Sequence, residues 1–196
     1  MPQDDAQQTG LEELRQQNAA LRARLEELER RVAMYQAAES RVRQALRAGG
    51  IAAVETRDVM TPHPQVARLG DSLRSILQRF EVGGFRRLPV LDASDNLVGI
   101  ITDRDVRLAL NSPLTLRERW QDEVLLDQVT VDVCMTPDPI TVGPHTPLHE
   151  VARVMRTRKI GGLPVLDGDG RLVGIVTETD LLRTFEKLLT EAARQV

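Results

Sequence analysis

Aromatic side chains are scarce in this chain: one tryptophan, one tyrosine and three phenylalanines among 196 residues. Its core must therefore rest on Val, Ile, Leu and Met. There is one cysteine, Cys134, which excludes an internal disulfide and a cysteine metal site. Set between Val133 and Met135, it reads as a small core residue. Charge is nearly balanced, at −3 overall, which gives no electrostatic reason to expect nucleic acid or an anionic membrane as partner. No run approaches the roughly 18 apolar residues of a membrane span. Residues 1–10 are polar and acidic, unlike a secretory signal, and are expected to be a disordered tail of a cytoplasmic protein. The sequence holds no Gly-rich phosphate loop, no metal-ligand cluster and no Ser/His/Asp or Cys/His constellation. His63, His145 and His149 lie in polar surroundings and read as surface residues. Catalysis is not expected.

What is present begins with a heptad pattern. Leu11, Leu14, Asn18, Leu21, Leu25, Leu28, Val32, Tyr35, Glu39, Val42 and Leu46 follow a 3-4 spacing, which predicts a coiled-coil helix over residues 11–48, weakening at Glu39 and stopped by Gly49-Gly50. Glu26–Arg30 and Glu27–Arg31 are i,i+4 pairs in the favourable order. Asn18 falls at an a position, where it can pair with its counterpart in a parallel two-stranded coil. Arg24 at g and Glu29 at the following e would attract across that interface. The alternative is an amphipathic helix lying on its own domain. A DNA-binding zipper would need a basic stretch upstream, where this chain has Asp4 and Asp5.

The remainder is one unit written twice. At an offset of 75, residues 59–106 align with 134–181 without a gap. Met60-Thr61-Pro62 meets Met135-Thr136-Pro137, Leu88-Pro89-Val90-Leu91-Asp92 meets Leu163-Pro164-Val165-Leu166-Asp167, and Leu97-Val98-Gly99-Ile100 meets Leu172-Val173-Gly174-Ile175. Such an internal repeat means two copies of one supersecondary unit, each covering what the other leaves exposed.

Each copy reads as β-α-β-β-α. A short extended stretch near Val66, or over 140–142, precedes a helix with apolar residues at Leu73, Ile76, Leu77 and Phe80, or Leu148, Val151, Ala152 and Met155. Asp71 and Thr146 fit as N-caps, with Pro147 at the first helical position. Two strands follow, 88–91 and 97–102 in one copy, 163–166 and 172–177 in the other, each pair joined by a polar turn. A closing helix starts near Asp103 or Glu178. The predicted domains are 57–110 and 131–190. A helical connector, 111–130, carries Trp120, Val124, Leu125 and Leu126.

The combination of Asp58-Val59-Met60-Thr61-Pro62, Leu88-Pro89-Val90-Leu91-Asp92 and Gly99-Ile100-Ile101-Thr102-Asp103-Arg104-Asp105 resembles the CBS domain. The second copy, from Val133-Cys134-Met135-Thr136-Pro137 through Gly174-Ile175-Val176-Thr177-Glu178-Thr179-Asp180, resembles another. A tandem pair is similar to a Bateman module, over about two-thirds of the chain. The resemblance implies an α/β fold with pseudo-two-fold symmetry and two clefts for adenosine-containing ligands: AMP, ADP, ATP, S-adenosylmethionine or NAD. It assigns ribose to Asp105 and Asp180, and phosphate to Thr102 and Thr177. A carboxylate just inside a helix can accept from both ribose hydroxyls, and the helix N-terminus favours phosphate. The same residues suit plain helix capping. The resemblance places adenine against Val66, Phe85, Arg86 and Ile101 in one copy and Thr141, Ile160, Gly161 and Val176 in the other. Phe85-Arg86-Arg87 against Ile160-Gly161-Gly162 implies unequal clefts, with Arg86, Arg87 and Arg104 able to attract phosphate. The implied protein is a regulatory homodimer, held by the coil and the CBS pair. Its rival is a ligand-free scaffold that displays a partner-binding surface.

Overall fold

The structure, a computed structural model, describes residues 2–49, 53–110 and 126–193. Most of the predicted connector, Trp120 included, lies outside the described residues. The chain divides into two compact units, residues 1–36 and 37–196.

The first unit is helical. Helix α1 runs Pro2–Gly49, so the expected disorder over residues 1–10 is corrected. Proline suits a first helical turn because its missing N–H has no intrahelical partner there. Leu14, Leu21, Leu25, Leu28 and Val32 stand 46–65% exposed along the helix. The Asn18 side-chain amide donates to the Leu14 carbonyl at 2.9 Å. Arg30 takes Glu27 as its partner, at 2.9 Å.

In the second unit the last turns of α1 have a different task. Val42 is buried, and with Ala45 and Leu46 it belongs to a hydrophobic core also built from Val151, Met155, Leu163, Val165 and Val176. The heptad positions Val42 and Leu46 are thus used within the chain and not along a coil seam. Glu39 pairs with Arg43 at 2.8 Å and with Lys187 at 3.7 Å.

The first repeat contributes α2 (Thr56–Val59), β1 (Thr61–Pro62), β2 (Ala67–Arg68), α3 (Leu73–Gly83), β3 (Arg87–Leu91), β4 (Leu97–Thr102) and α4 (Asp103–Leu110). The second contributes α5 (Val131–Cys134), β5 (Thr136–Pro137), α6 (Leu148–Arg158), β6 (Gly162–Leu166), β7 (Leu172–Thr177) and α7 (Glu178–Ala193). The α3 and α6 faces predicted to be apolar are buried at Leu73, Ile76, Phe80, Val151 and Met155. Their N-caps sit one residue later than expected. Ser72 Oγ accepts from the Ser75 N–H, and Pro147 occupies the twin position. Asp71 and Thr146 instead close the preceding turns by accepting from the N–H of Arg68 and Gly143.

The two sheets do not follow the repeats. One has the order β2-β3-β4-β5 and the other β1-β7-β6, the latter extended by a parallel bridge from Val142 to Val165. Strand β1 of the first repeat pairs antiparallel with β7 of the second, Thr61 opposite Ile175 and Pro62 opposite Gly174. Reciprocally, β5 pairs with β4, Thr136 opposite Ile100 and Pro137 opposite Gly99. Both exchanged strands lie at sheet edges, where a proline's missing donor is tolerated. The cores are exchanged as well. Val131 is fully buried with Leu73, Ile76, Leu88, Val90 and Ile101, with Leu126, Val129, Cys134 and Met135 packed alongside. Val54 and Val59 lie in the core of the second repeat. Backbone bonds fix this crossing: the Thr56 N–H donates to Thr146 O at 2.9 Å, and the Leu73 N–H to Val129 O at 3.0 Å.

Two thioethers close the crossing. The Met60 side chain lies over Gly174, and Met135 over Gly99, so closely that a Cβ at either glycine would overlap the sulfur. Gly174→Val is expected to destabilise the fold by about 1–3 kcal/mol through overpacking. Met60→Ala should restore part of that loss. Denaturant melts of the two single variants and the double variant check this, and simple additivity would contradict it.

Candidate functional site

Each repeat ends its second long strand in a threonine and turns at once into a helix. The Thr102 N–H and Oγ1 both donate to Asp105 Oδ2, at 2.8 and 2.7 Å, and the Asp105 N–H donates back to Thr102 Oγ1 at 3.3 Å. The twin repeats the first two of these bonds: the Thr177 N–H and Oγ1 donate to Asp180 Oδ2 at 2.8 and 2.7 Å. The first junction is a capping box with aspartate in place of the usual glutamate, and the second shares the half in which the aspartate holds its threonine. The box uses only one carboxylate oxygen. The threonine proton is committed to it, so donation to a phosphate would have to compete with the aspartate.

The helix starts also fasten the approach to Leu-Pro. The Asp103 N–H donates to Arg86 O at 3.0 Å, and the Glu178 N–H to Gly161 O at 3.1 Å. Thr102, Asp105 and the Arg86 backbone are thereby brought together in one repeat, and Thr177, Asp180 and Gly161 in the other. Val66 and Thr141 are half-buried, and the Val66 carbonyl accepts from Arg79 at 2.7 Å. Phe85 and Ile160 lean on their own cores. The Phe85 ring meets Phe80 edge-on, with centroids 6.1 Å apart and planes at 85°. Arg86 and Arg104 are exposed. Ile101 and Val176 have no exposed surface and sit inside the two cores. Their assignment to an adenine slot is corrected: successive strand residues face opposite ways, and these two face the core.

Glu178 was absent from the expected ligand contacts, and Arg87 was expected only as a charge able to attract phosphate. Arg87 belongs to the first repeat, yet its guanidinium lies on the second. A methyl group built on Gly161 would stand 2.9 Å from both Arg87 Nη2 and Glu178 Oε2. Burial pulls the Arg87 guanidinium below its ordinary range, against the opposing pull of Glu178, Asp103 and Asp180. The signal available in sequence was the pairing of Arg87 with Gly162 at the repeat offset.

Cys134 is half-buried against the first core. Burial pushes its thiol up, as do the nearby carboxylates of Asp105 and Asp132. His63, His145 and His149 are exposed, and His145 Nδ1 is 3.1 Å from Glu55 Oε2. Among the described residues no three His, Cys, Asp or Glu side chains converge on a possible metal position, and no helix is long and apolar enough to cross a membrane.

Asp180 is 7% exposed. Burial raises its carboxyl above the ordinary value, more than the Thr177 hydrogen bonds, Arg183 and Arg87 lower it. A folded-state pKa above the unfolded one gives stability that is fully present below the unfolded value and is lost as pH rises through the folded value. Asp180→Asn mimics the protonated carboxyl. It is expected to gain stability over the parent as pH climbs from about 4 toward neutrality, and to match the parent in acid. Thermal melts across that range test this, and a gap that widens toward acid would contradict it.

A family model for the CBS domain matches residues 57–112 and 129–187. A CBS domain-containing protein of Dictyostelium discoideum is 40% identical over 137 residues, covering 69% of this chain and 94% of that protein. Two solved structures are similar. The CBS domain pair of MJ0100 in complex with 5′-methylthioadenosine and S-adenosyl-L-methionine has a TM-score of 0.59 at 29% identity, covering 68% of this chain and 97% of that one. The CBSX2 structure in complex with AMP has a TM-score of 0.56 at 30% identity, with the same coverage of 68% and 97%. With both repeats matched and the exchanged sheets in place, the chain belongs to the CBS-domain family as a tandem pair behind a long N-terminal helix.

Proposed function

We propose that the chain is a non-catalytic regulatory module that binds an adenosine-containing ligand, an adenine nucleotide or S-adenosylmethionine, in clefts bounded by its two repeats. The observation that carries this is the duplicated capping box. At both strand-to-helix junctions an aspartate holds its own threonine through Oδ2, which leaves Oδ1 of Asp105 outside that box. The Oδ1 of Asp180 faces Arg183 at 3.7 Å. One carboxylate oxygen in each repeat would accept from ribose hydroxyls. The described residues offer no metal cluster for chemistry, and structurally similar pairs bind AMP and S-adenosylmethionine. The first repeat's cleft would use Thr102 and Asp105 with Val66, Phe85 and Arg86. The second's would use Thr177 and Asp180 with Thr141, Ile160 and Gly161. A cytoplasmic setting fits this role.

Asp→Asn is the variant of choice because the amide oxygen can keep the cap while its NH₂ presents a donor to ribose. Asp105→Asn and Asp180→Asn should each weaken one cleft by roughly tenfold or more, the weight of a hydrogen bond to a charged group. Calorimetry with AMP, ATP and S-adenosylmethionine measures this. If the double variant binds as tightly as the parent, the aspartates are caps alone. If the parent binds none of the three, the scaffold reading replaces this one.

The same module is proposed to dimerise through α1. Its exposed Leu14, Leu21, Leu25, Leu28 and Val32 would form a seam about 27 Å long at 1.5 Å per residue, shorter than the heptad pattern alone implied. Asn18 stands at an a position, and Arg24 and Glu29 occupy the flanks. Asn18→Leu should raise thermal stability while loosening the dimeric state. Sedimentation equilibrium checks it, and a monomeric parent with an intact helix would remove the claim.

A further inference from the structure

We propose that the exposed face of α6, in the second repeat, is a docking surface for an acidic segment of a partner protein, held by Arg153, Arg156 and Lys159. It uses none of the residues at the two strand-to-helix junctions and holds whether or not an adenosine ligand binds.

Residues 153–159 read Arg-Val-Met-Arg-Thr-Arg-Lys, four cations and no acid in a chain whose net charge is −3. Helix α6 turns Val151 and Met155 into the core, which leaves Arg153, Arg156, Arg158 and Lys159 exposed. Arg153, Arg156 and Lys159 follow one another every third residue, so they are neighbours on the helix surface. The exposed His149 stands one turn before Arg153. Cations near a helix C-terminus suit its dipole, but the dipole does not require Lys159. That residue is the C-cap, with a left-handed φ of 56°, and its twin at the offset of 75 is Gly84, with φ of 60°. A cation is therefore carried at a backbone position that favours glycine. The twins of Arg153 and Arg156 are Gln78 and Glu81. The basic row thus belongs to one repeat, and the shared frame does not demand it.

Arginines elsewhere in the pair are committed: Arg57 to Glu55, Arg68 to Asp95, Arg74 to Asp127, Arg79 to Asp71 and Arg107 to Asp103. Among the described residues the four cations of 153–159 have no ion-pair partner. The acid of α6, Glu150, is half-buried and pairs with none of them. The Thr157 hydroxyl is turned back onto the carbonyls of Arg153 and Val154, so it does not occupy them either. Their donors are free for carboxylates, which an arginine can hold through two parallel bonds. The form of the row selects the occupant. From His149 to Lys159 it runs about 15 Å at 1.5 Å per residue, open along its length, which suits an extended acidic segment better than one small anion. None of the exposed large hydrophobic residues lies on α6, so nothing there would enter a lipid interface. The helix carries no aromatic ring on which a base could stack, and the net negative charge of the chain opposes a long phosphate backbone.

The test is fluorescence anisotropy of a labelled poly-aspartate octapeptide titrated with the full chain. The parent should bind it at low salt and lose affinity as salt rises. The triple variant Arg153→Gln, Arg156→Glu, Lys159→Gly installs the residues that α3 already carries at Gln78, Glu81 and Gly84. It should melt no lower than the parent and bind the peptide roughly tenfold more weakly, the sum of several exposed ion pairs. The double variant Arg15→Glu, Arg171→Glu removes the same amount of charge at exposed sites on other elements and should bind as the parent does. A parent that does not bind the peptide overturns the proposal. So does an equal loss in the double variant, which would mean net charge and not this face. Should the triple variant melt early, Arg153→Gln with Arg156→Gln leaves the cap untouched and must show the loss; unchanged affinity there also overturns the claim. A thymidine dodecamer, or phosphatidylserine vesicles, bound more tightly than the peptide and equally sensitive to the triple variant, overturns the assignment to a protein partner.

Discussion

The structure depends on the reciprocal crossing of two short strands. Met60-Thr61-Pro62 leaves its own repeat to edge the second sheet, and Met135-Thr136-Pro137 does the reverse. Neither repeat can complete its sheet or its core alone, since Val54 and Val59 are buried in the second core and Val131 in the first. The glycines opposite the methionines follow from this. At Gly99 and Gly174 the exchanged thioether takes the space a side chain would fill. The residue that follows each crossing strand, His63 or Asp138, adopts a left-handed backbone with φ of 46° or 47°. That conformation costs a non-glycine residue about 1 kcal/mol. A strain tolerated twice at equivalent places is the cost of turning the chain back once it has crossed.

Where the crossing demands it, the two copies stay alike, and at the approach to Leu-Pro they diverge. The capping boxes agree to within 0.1 Å in every shared bond. The approach to Leu-Pro does not agree at all. Phe85 turns into its core against Phe80, Ile160 packs on the second core, and Arg87 reaches across to a bare pair of glycines. Pseudo-symmetry here constrains the frame and leaves the segments before Leu-Pro independent.

Much of this was readable in advance. The long strands, the helices α3 and α6 and the Thr-x-x-Asp junctions follow from alternation, 3.6 periodicity and the register of the repeat. The crossing was not readable, because a two-residue strand has no period and nothing in Met-Thr-Pro names its partner. Nor does a heptad say what covers it: Val42 and Leu46 satisfy the coil pattern and pack on the chain's own core. Ile101 and Val176 show the cost of a one-residue choice of face, since in a strand that choice exchanges core for cleft. Arg87 was legible only as a charge; its reach over Gly161 and Gly162 is a property of the assembled interface.

The same box sits in two electrostatic settings. Asp105 is half-buried and keeps contact with water, whereas Asp180 is nearly enclosed and its carboxyl is raised by that burial. A buried carboxylate is costly until its lone pairs are satisfied. Thr177 satisfies one oxygen. Arg183, at 3.7 Å, is too distant for a good hydrogen bond to the other. Two donors arriving together, as from a ribose, would replace lost hydration at Asp180 but would compete with existing hydration at Asp105. On the adenosine-binding reading proposed above, identical bonds to ribose would therefore stabilise the second repeat's site more. Arg87 acts in the same place but offsets part of that cost, since its positive charge favours the ionised carboxylate that burial disfavours. Asp180 is where this fold carries electrostatic cost, and on that same reading it is where a ligand would have most to relieve.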